Sequence, residues 1–121
     1  MSLDGHNILV VEDEFLIALD LQDSLEDEGA AVIGPADTVP GALKLLSQEK
    51  ICAAILDINL GRENSKDVAV KLTAADIPFL YHSGQGALEE LSEWPQAPVL
   101  TKPSSPDVLI TKLTELLNPV R

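Results

Sequence analysis

Short unbroken apolar runs alternate with helix-spaced apolar residues five times along the chain. Ile8-Leu9-Val10-Val11 is one such run, and Ala53-Ala54-Ile55-Leu56 is another, leading straight into Asp57-Ile58-Asn59-Leu60. Runs of this length without polar interruption predict strands covered on both faces, as in parallel sheets. Ala31-Val32-Ile33-Gly34 predicts a second strand, ending at Gly34-Pro35. Pro78-Phe79-Leu80-Tyr81-His82 predicts a fourth. Pro98-Val99-Leu100-Thr101 predicts a fifth, its proline suited to a first position or an edge.

Between these runs the spacing becomes helical. Residues 14–28 set Ile17, Ala18, Leu21 and Leu25 on one face, and Gly29 stops them. Thr38 caps a helix through Gln48 with Val39, Leu43 and Leu46 inward. Residues 67–75 carry Val68, Val70 and Leu72, residues 87–91 make a short helix, and residues 107–117 close the chain through Leu109, Leu113, Leu116 and Leu117. Alternating strand and helix predicts an α/β fold, a doubly wound (βα)5 sandwich with helices on both faces of a five-stranded parallel sheet. Right-handed crossovers and the flavodoxin-like strand order 2-1-3-4-5 follow.

Composition narrows the class. The 121 residues suit one domain over 1–121, with residues 1–5 expected to be disordered or left over from cloning. A net charge of −12 argues against nucleic acid and against an anionic membrane surface as partners. No apolar run approaches a membrane span, no signal pattern opens the chain, and the lone Cys52 cannot form an internal disulfide, so the expected location is cytoplasmic.

The candidate chemistry lies at the strand ends. The first strand ends in Glu12-Asp13-Glu14, the third in Asp57, the fourth in Ser83-Gly84 and the fifth in Lys102-Pro103. In a parallel sheet these ends share one edge, where open α/β folds bind ligands. Glu12, Asp13 and Asp57 crowd three carboxylates together, a hard oxygen set that suits Mg²⁺ (or Mn²⁺). Lys102 can follow phosphate oxygens, Ser83 can donate to one, and Gly84 leaves a backbone N–H approachable. Asp57 is then the nucleophile for a phosphoryl group. Each piece alone has an ordinary explanation: an acidic first helical turn, a loop cap, a turn, a surface lysine. Their conjunction in this order favours a site.

As a set, Ile8-Leu9-Val10-Val11-Glu12-Asp13-Glu14, Leu56-Asp57-Ile58-Asn59-Leu60, Ser83-Gly84 and Thr101-Lys102-Pro103 resemble the receiver domain of two-component response regulators (CheY-like) across essentially the whole chain. The resemblance implies phosphorelay signal transduction rather than an enzyme, with Asp57 the phosphoacceptor. It implies Mg²⁺ held by Asp13, Asp57 and the backbone carbonyl of Asn59, with Glu12 acting through water or a second contact. It implies that Lys102 and Ser83 bind phosphoryl oxygens and that the Lys102–Pro103 peptide is cis. The implied donor is a sensor histidine kinase or phosphotransfer protein. The implied output is a downstream protein, or a second copy of the chain, meeting the face of the fourth helix, fifth strand and fifth helix. With no output domain expected after Leu117, that output is protein contact.

Tyr81-His82-Ser83-Gly84-Gln85-Gly86 further resembles the Phe-Ala-Thr-Gly-hydrophobic-Tyr motif of the stand-alone receivers called FAT GUY regulators, from which His82, Gln85 and Gly86 depart. Many receivers carry an aromatic residue three positions before the lysine; here that switch position is Val99. Two other functions fit the fold. An aspartyl-phosphate phosphohydrolase would use Asp57-Ile58-Asn59, but no substrate-recognition segment is left over. A flavin-binding module needs a phosphate loop after the first strand, where Glu12-Asp13-Glu14 would repel it.

Overall fold

The computed structural model describes residues 3–84 and 88–118. Its elements are β1 (Asn7–Val11), α1 (Phe15–Asp27), β2 (Ala31–Ala36), α2 (Val39–Gln48), β3 (Ala53–Leu56), β4 (Asn59–Leu60), β5 (Glu63–Asn64), α3 (Lys66–Ala74), β6 (Phe79–Ser83), a 3₁₀ turn (Leu88–Glu93), β7 (Val99–Thr101) and α4 (Pro106–Leu117). β2-β1-β3-β6-β7 form one parallel sheet, which is the predicted order 2-1-3-4-5.

The unbroken apolar strands work because each feeds two cores. Successive side chains point to opposite faces. Leu9, Val11, Ala54, Leu56, Phe79 and Tyr81 pack with Val39 and Ala42 of α2 and with Val68 and Leu72 of α3. Ile8, Val10, Ala53, Ile55 and Leu80 pack with Leu21 and Leu25 of α1 and with Leu109 and Leu113 of α4. Thr38 caps α2 by accepting the Gly41 N–H at 3.1 Å, and Ser105 caps α4 by accepting from Val108 at 3.3 Å. No helix among the described residues is long and apolar enough to cross a membrane.

Three expectations need correction. Leu3 is fully buried in the second core and its N–H donates to the Glu28 carbonyl at 3.0 Å, so residues 3–5 of the expected disordered start are ordered. Asp4 lies beside Gly29 at the end of α1, where φ is +93° and a Cβ would collide with the Asp4 carboxylate. The second strand does not stop at Gly34-Pro35 but runs to Ala36, with the pairing slipping between Leu9↔Ile33 and Val11↔Ala36. Gly34 permits this at φ +100°, where a Cβ would come within 2.7 Å of the Ala36 nitrogen. The helix expected at 87–91 is a 3₁₀ turn over Leu88–Glu93, and Ala87 lies outside the described residues. Pro95 soon after it disfavours continued helix, and short connectors commonly take 3₁₀ geometry. The pairing of β4 with β5 was not expected.

Candidate functional site

β1 and β3 run side by side, with Val11 opposite Leu56. The residues just beyond them, Glu12 and Asp57, therefore leave the sheet together. The Asp57 N–H donates to the Val11 carbonyl at 2.9 Å, and the Glu12 N–H to the Ala36 carbonyl at 2.9 Å. Glu12, Asp13 and Asp57 offer carboxylate oxygens that all lie within 4.8 Å of one another. Glu12 and Asp57 are buried and Asp13 is exposed, so the cluster opens to solvent on one side. Three hard oxygen donors at this spacing fit Mg²⁺ and do not fit a soft ion.

Lys102 reaches the same point from the end of β7. Its Nζ lies 2.7 Å from Glu12 Oε1 and 2.9 Å from Asp57 Oδ2. Burial pulls the lysine pKa down, but the two carboxylates outweigh it and leave the ammonium above its ordinary value. Glu12 is pushed up to about 7, first by burial and then by its neighbour Asp57, with Lys102 opposing. Glu12 Oε2 also accepts the Glu14 N–H at 3.2 Å, which folds its side chain back over the start of α1.

The remaining expected residues stand around this centre. Asn59 enters through its backbone N–H, 3.4 Å from Asp57 Oδ1, while its side-chain amide donates to Glu90 at 3.4 Å. Ser83 is fully buried at the end of β6 and its hydroxyl donates to the Gly84 carbonyl at 3.1 Å, not to Asp57. The Lys102 N–H donates to the Ser83 carbonyl at 2.6 Å, which ties hydroxyl and amine to one strand end. Gly84 is exposed with open space where a Cβ would stand. The Lys102–Pro103 peptide is cis. Val99 is half-buried and pairs with Tyr81.

Two participants, Ser65 and Glu90, were not anticipated from the sequence. Ser65 is fully buried and its hydroxyl donates to the Asp57 carbonyl at 2.6 Å, with a longer contact to the Ile58 carbonyl at 3.3 Å. Its only sequence signal is a polar residue just ahead of the third helix. Glu90 reaches Asn59 from the 3₁₀ turn. His82 points to the sheet face opposite Ser83, as alternation requires. There its Nε2 meets Ser104 Oγ at 3.0 Å. Burial first, and then Lys102, lowers His82 to about 4, so its ring is neutral.

The sequence profile of the response regulator receiver domain matches residues 8–114. The solution structure of SdrG from Sphingomonas melonis Fr1 is 43% identical and covers 97% of this chain and 98% of its own, with a TM-score of 0.82. The crystal structure of a response regulator receiver protein from Sinorhizobium medicae WSM419 is 29% identical, covering 94% and 95%, with a TM-score of 0.83. The transcriptional regulatory protein PdtaR of Mycobacterium tuberculosis is 31% identical over 70 residues, 58% of this chain and 34% of that protein. The chain thus spans about a third of the length of that curated relative.

Proposed function

The chain belongs to the response regulator receiver domain family, and from that premise we propose that residues 1–121 form one receiver domain that takes a phosphoryl group on Asp57 in a phosphorelay. The observation that carries this reading is the Lys102 ammonium shared between Asp57 Oδ2 and Glu12 Oε1 at a carboxylate-lined strand edge. A cation already beside the acceptor carboxylate is what a dianionic group arriving there requires. An Asp57 oxygen attacks phosphorus, the bond from phosphorus to the donor histidine nitrogen breaks, and the electron pair leaves with the imidazole. Lys102 then turns from the carboxylates to the phosphoryl oxygens. Ser83, whose hydroxyl now rests on the Gly84 carbonyl, and the Gly84 N–H are the neutral donors for those oxygens. Such catalysis is positioning and charge neutralisation. It makes the chain a phosphoacceptor rather than a turnover enzyme.

Asp13, Asp57 and the Asn59 carbonyl would hold Mg²⁺ (or Mn²⁺), with Glu12 acting through a water. Bound there, the metal supplies charge neutralisation between carboxylates and phosphoryl oxygens. The donor is a sensor histidine kinase or a phosphotransfer protein, met close to the acids. Phe15 and Leu16, 76% and 73% exposed at the start of α1, support protein contact beside the site. Output goes to a downstream protein or a second copy through the face of the 3₁₀ turn, β7 and α4. The test is phosphate uptake from acetyl phosphate, read by intact mass. One phosphate is expected on the wild type with Mg²⁺ and none without it. Phosphate persisting on Asp57→Asn would show that the wrong nucleophile was named.

A further inference from the structure

Tyr81 is almost fully buried on β6, yet it borders an open groove of about 490 Å³ that Leu91, Pro95, Gln96, Ala97 and Val99 complete. Its hydroxyl donates to the Pro95 carbonyl at 2.6 Å. Its ring meets Phe79 edge-on with centroids 5.3 Å apart, and Trp94 at 6.0 Å. Burial pushes the hydroxyl up to about 12, so it stays a neutral donor.

This ring is coupled to the acidic site by register. Tyr81 stands opposite Val99, and Ser83 stands opposite Thr101. Tyr81 and Ser83 are two residues apart on one strand and share a face. The Tyr81 N–H donates to the Pro98 carbonyl at 2.9 Å, and the Lys102 N–H to the Ser83 carbonyl at 2.6 Å. A shift of the β6 and β7 ends toward new phosphoryl oxygens therefore reaches the Tyr81–Val99 pair directly.

Val99 is short and restricted at χ1, so it leaves the groove unfilled. The ring of Tyr81 is thus packed against Phe79 and Trp94 and forms part of the groove's floor, almost wholly shielded from solvent. In a sealed core, parting the hydroxyl from its acceptor would leave it unsatisfied. Beside an open groove, water can replace the Pro95 carbonyl, and both ring positions become accessible.

We propose that Tyr81 is the residue that couples the site to the protein's partner-facing side. At rest its hydroxyl ties β6 to Pro95 and holds Trp94 against the sheet. On phosphorylation of Asp57 that tie is released, the ring turns into the groove beside Val99, and segment 91–97 is freed to meet a partner. The proposal rests on Asp57 being the acceptor, as argued above. Tyr81 is a positioning residue: it touches neither the acceptor nor the carboxylates.

Trp94 is the only tryptophan of the chain, so its emission reports this segment. The full chain is treated with Mg²⁺ and acetyl phosphate, and bound phosphate is counted by intact mass. In the wild type, emission should change in proportion to the phosphorylated fraction. Exchange of the Trp94 amide, held by the Leu91 carbonyl at 3.1 Å, should quicken roughly tenfold, about the worth of one net hydrogen bond. Tyr81→Phe should take phosphate to the wild-type level, show the phosphorylated emission already at rest, and change no further. Val99→Phe, which fills the groove without touching the tie, should take phosphate yet keep the resting emission; it serves also where Tyr81→Phe does not fold. Phosphorylated wild type with unchanged emission overturns the proposal. So does Tyr81→Phe with wild-type resting emission and a full response. A wild type that takes no phosphate overturns the acceptor assignment instead, and this proposal with it.

Discussion

Lys102 Nζ stands 2.9 Å from Asp57 Oδ2 although 45 residues separate them in sequence, and the same nitrogen lies 2.7 Å from Glu12 Oε1. One cation therefore holds two buried carboxylates together. Replacing it by Lys102→Met should leave them facing each other, with a loss of about 1–3 kcal/mol, the usual range for orphaning buried polar groups. The sign with pH is specific. Lys102 lowers the Glu12 pKa, so its removal raises a value that already stands at about 7. At pH 8 the wild-type Glu12 is charged and depends on Lys102, so the loss is large; at pH 5.5 Glu12 is protonated in both proteins and the loss shrinks. Urea denaturation at the two pH values checks this, and an equal loss at both would refute it.

The metal prediction follows from the same crowding. Mg²⁺ should raise the melting temperature by mass action, by about 2.7 kcal/mol of stability at a hundredfold excess over Kd. Asp13→Ala should remove most of that gain and Glu12→Ala less. Bound metal favours deprotonated carboxylates, so the gain should fall as pH drops below 7, where Glu12 becomes protonated. Thermal melts with and without Mg²⁺ at pH 6 and pH 8 decide it; a melt indifferent to Mg²⁺ at both would exclude the site.

His82 sets a separate pH dependence. It lies at a groove of about 710 Å³ between α1 and the loop leading to α4, whose charged lining includes Glu14, Asp20, Asp23, Asp27 and Lys102. Its folded pKa is about 4 against an ordinary 6.5. A depressed value means that the unfolded chain binds the proton first. The stability His82 contributes is thus fully present above pH 6.5 and is lost as pH falls toward 4. Between pH 7 and pH 5 the wild type should lose roughly 1–2 kcal/mol more than His82→Gln. Parallel stability curves for the two proteins would show that the ring is not held neutral.

Which parts of this arrangement were readable in the sequence follows from what each residue's position depends on. β1, β3 and β6 were legible because strands buried on both faces tolerate no polar interruption, so Ile8-Leu9-Val10-Val11 announces itself. Glu12, Asp57, Ser83 and Lys102 were legible as a group because a parallel sheet brings strand ends to one edge. Their pairing was not. That Lys102 bridges Glu12 and Asp57 while the Ser83 hydroxyl turns to the Gly84 carbonyl depends on side-chain rotamers, which no spacing encodes. Leu3 looked like part of a loose start because its partners, Leu25 and Glu28, are distant in sequence. The 3₁₀ turn was read as α-helix because four or five residues cannot distinguish the two periods.

Ser65 is the clearest site residue that sequence reasoning passed over, and it carries the last prediction. Its hydroxyl donates to the Asp57 carbonyl at 2.6 Å, its N–H donates to the Ile58 carbonyl at 2.9 Å, and its own carbonyl accepts the Ala69 N–H at 3.0 Å in the first turn of α3. One residue thus anchors the acceptor's backbone to the helix that follows it. Ser65→Ala keeps the backbone bonds and removes only the hydroxyl. Deleting a donor to a buried carbonyl costs about 1–3 kcal/mol. It also frees the Asp57 peptide to tilt, and the Asp57 carboxylate with it, away from Lys102. Phosphate uptake from acetyl phosphate should therefore slow several-fold, beyond what the small loss of folded protein explains. Ser65→Thr retains the hydroxyl and should recover the rate if its methyl group is accommodated. Denaturation and the uptake rate are measured on the same preparations. Ser65→Ala that loses stability but takes phosphate at the wild-type rate would reduce Ser65 to a helix anchor; one that changes neither would show that the 2.6 Å bond contributes nothing.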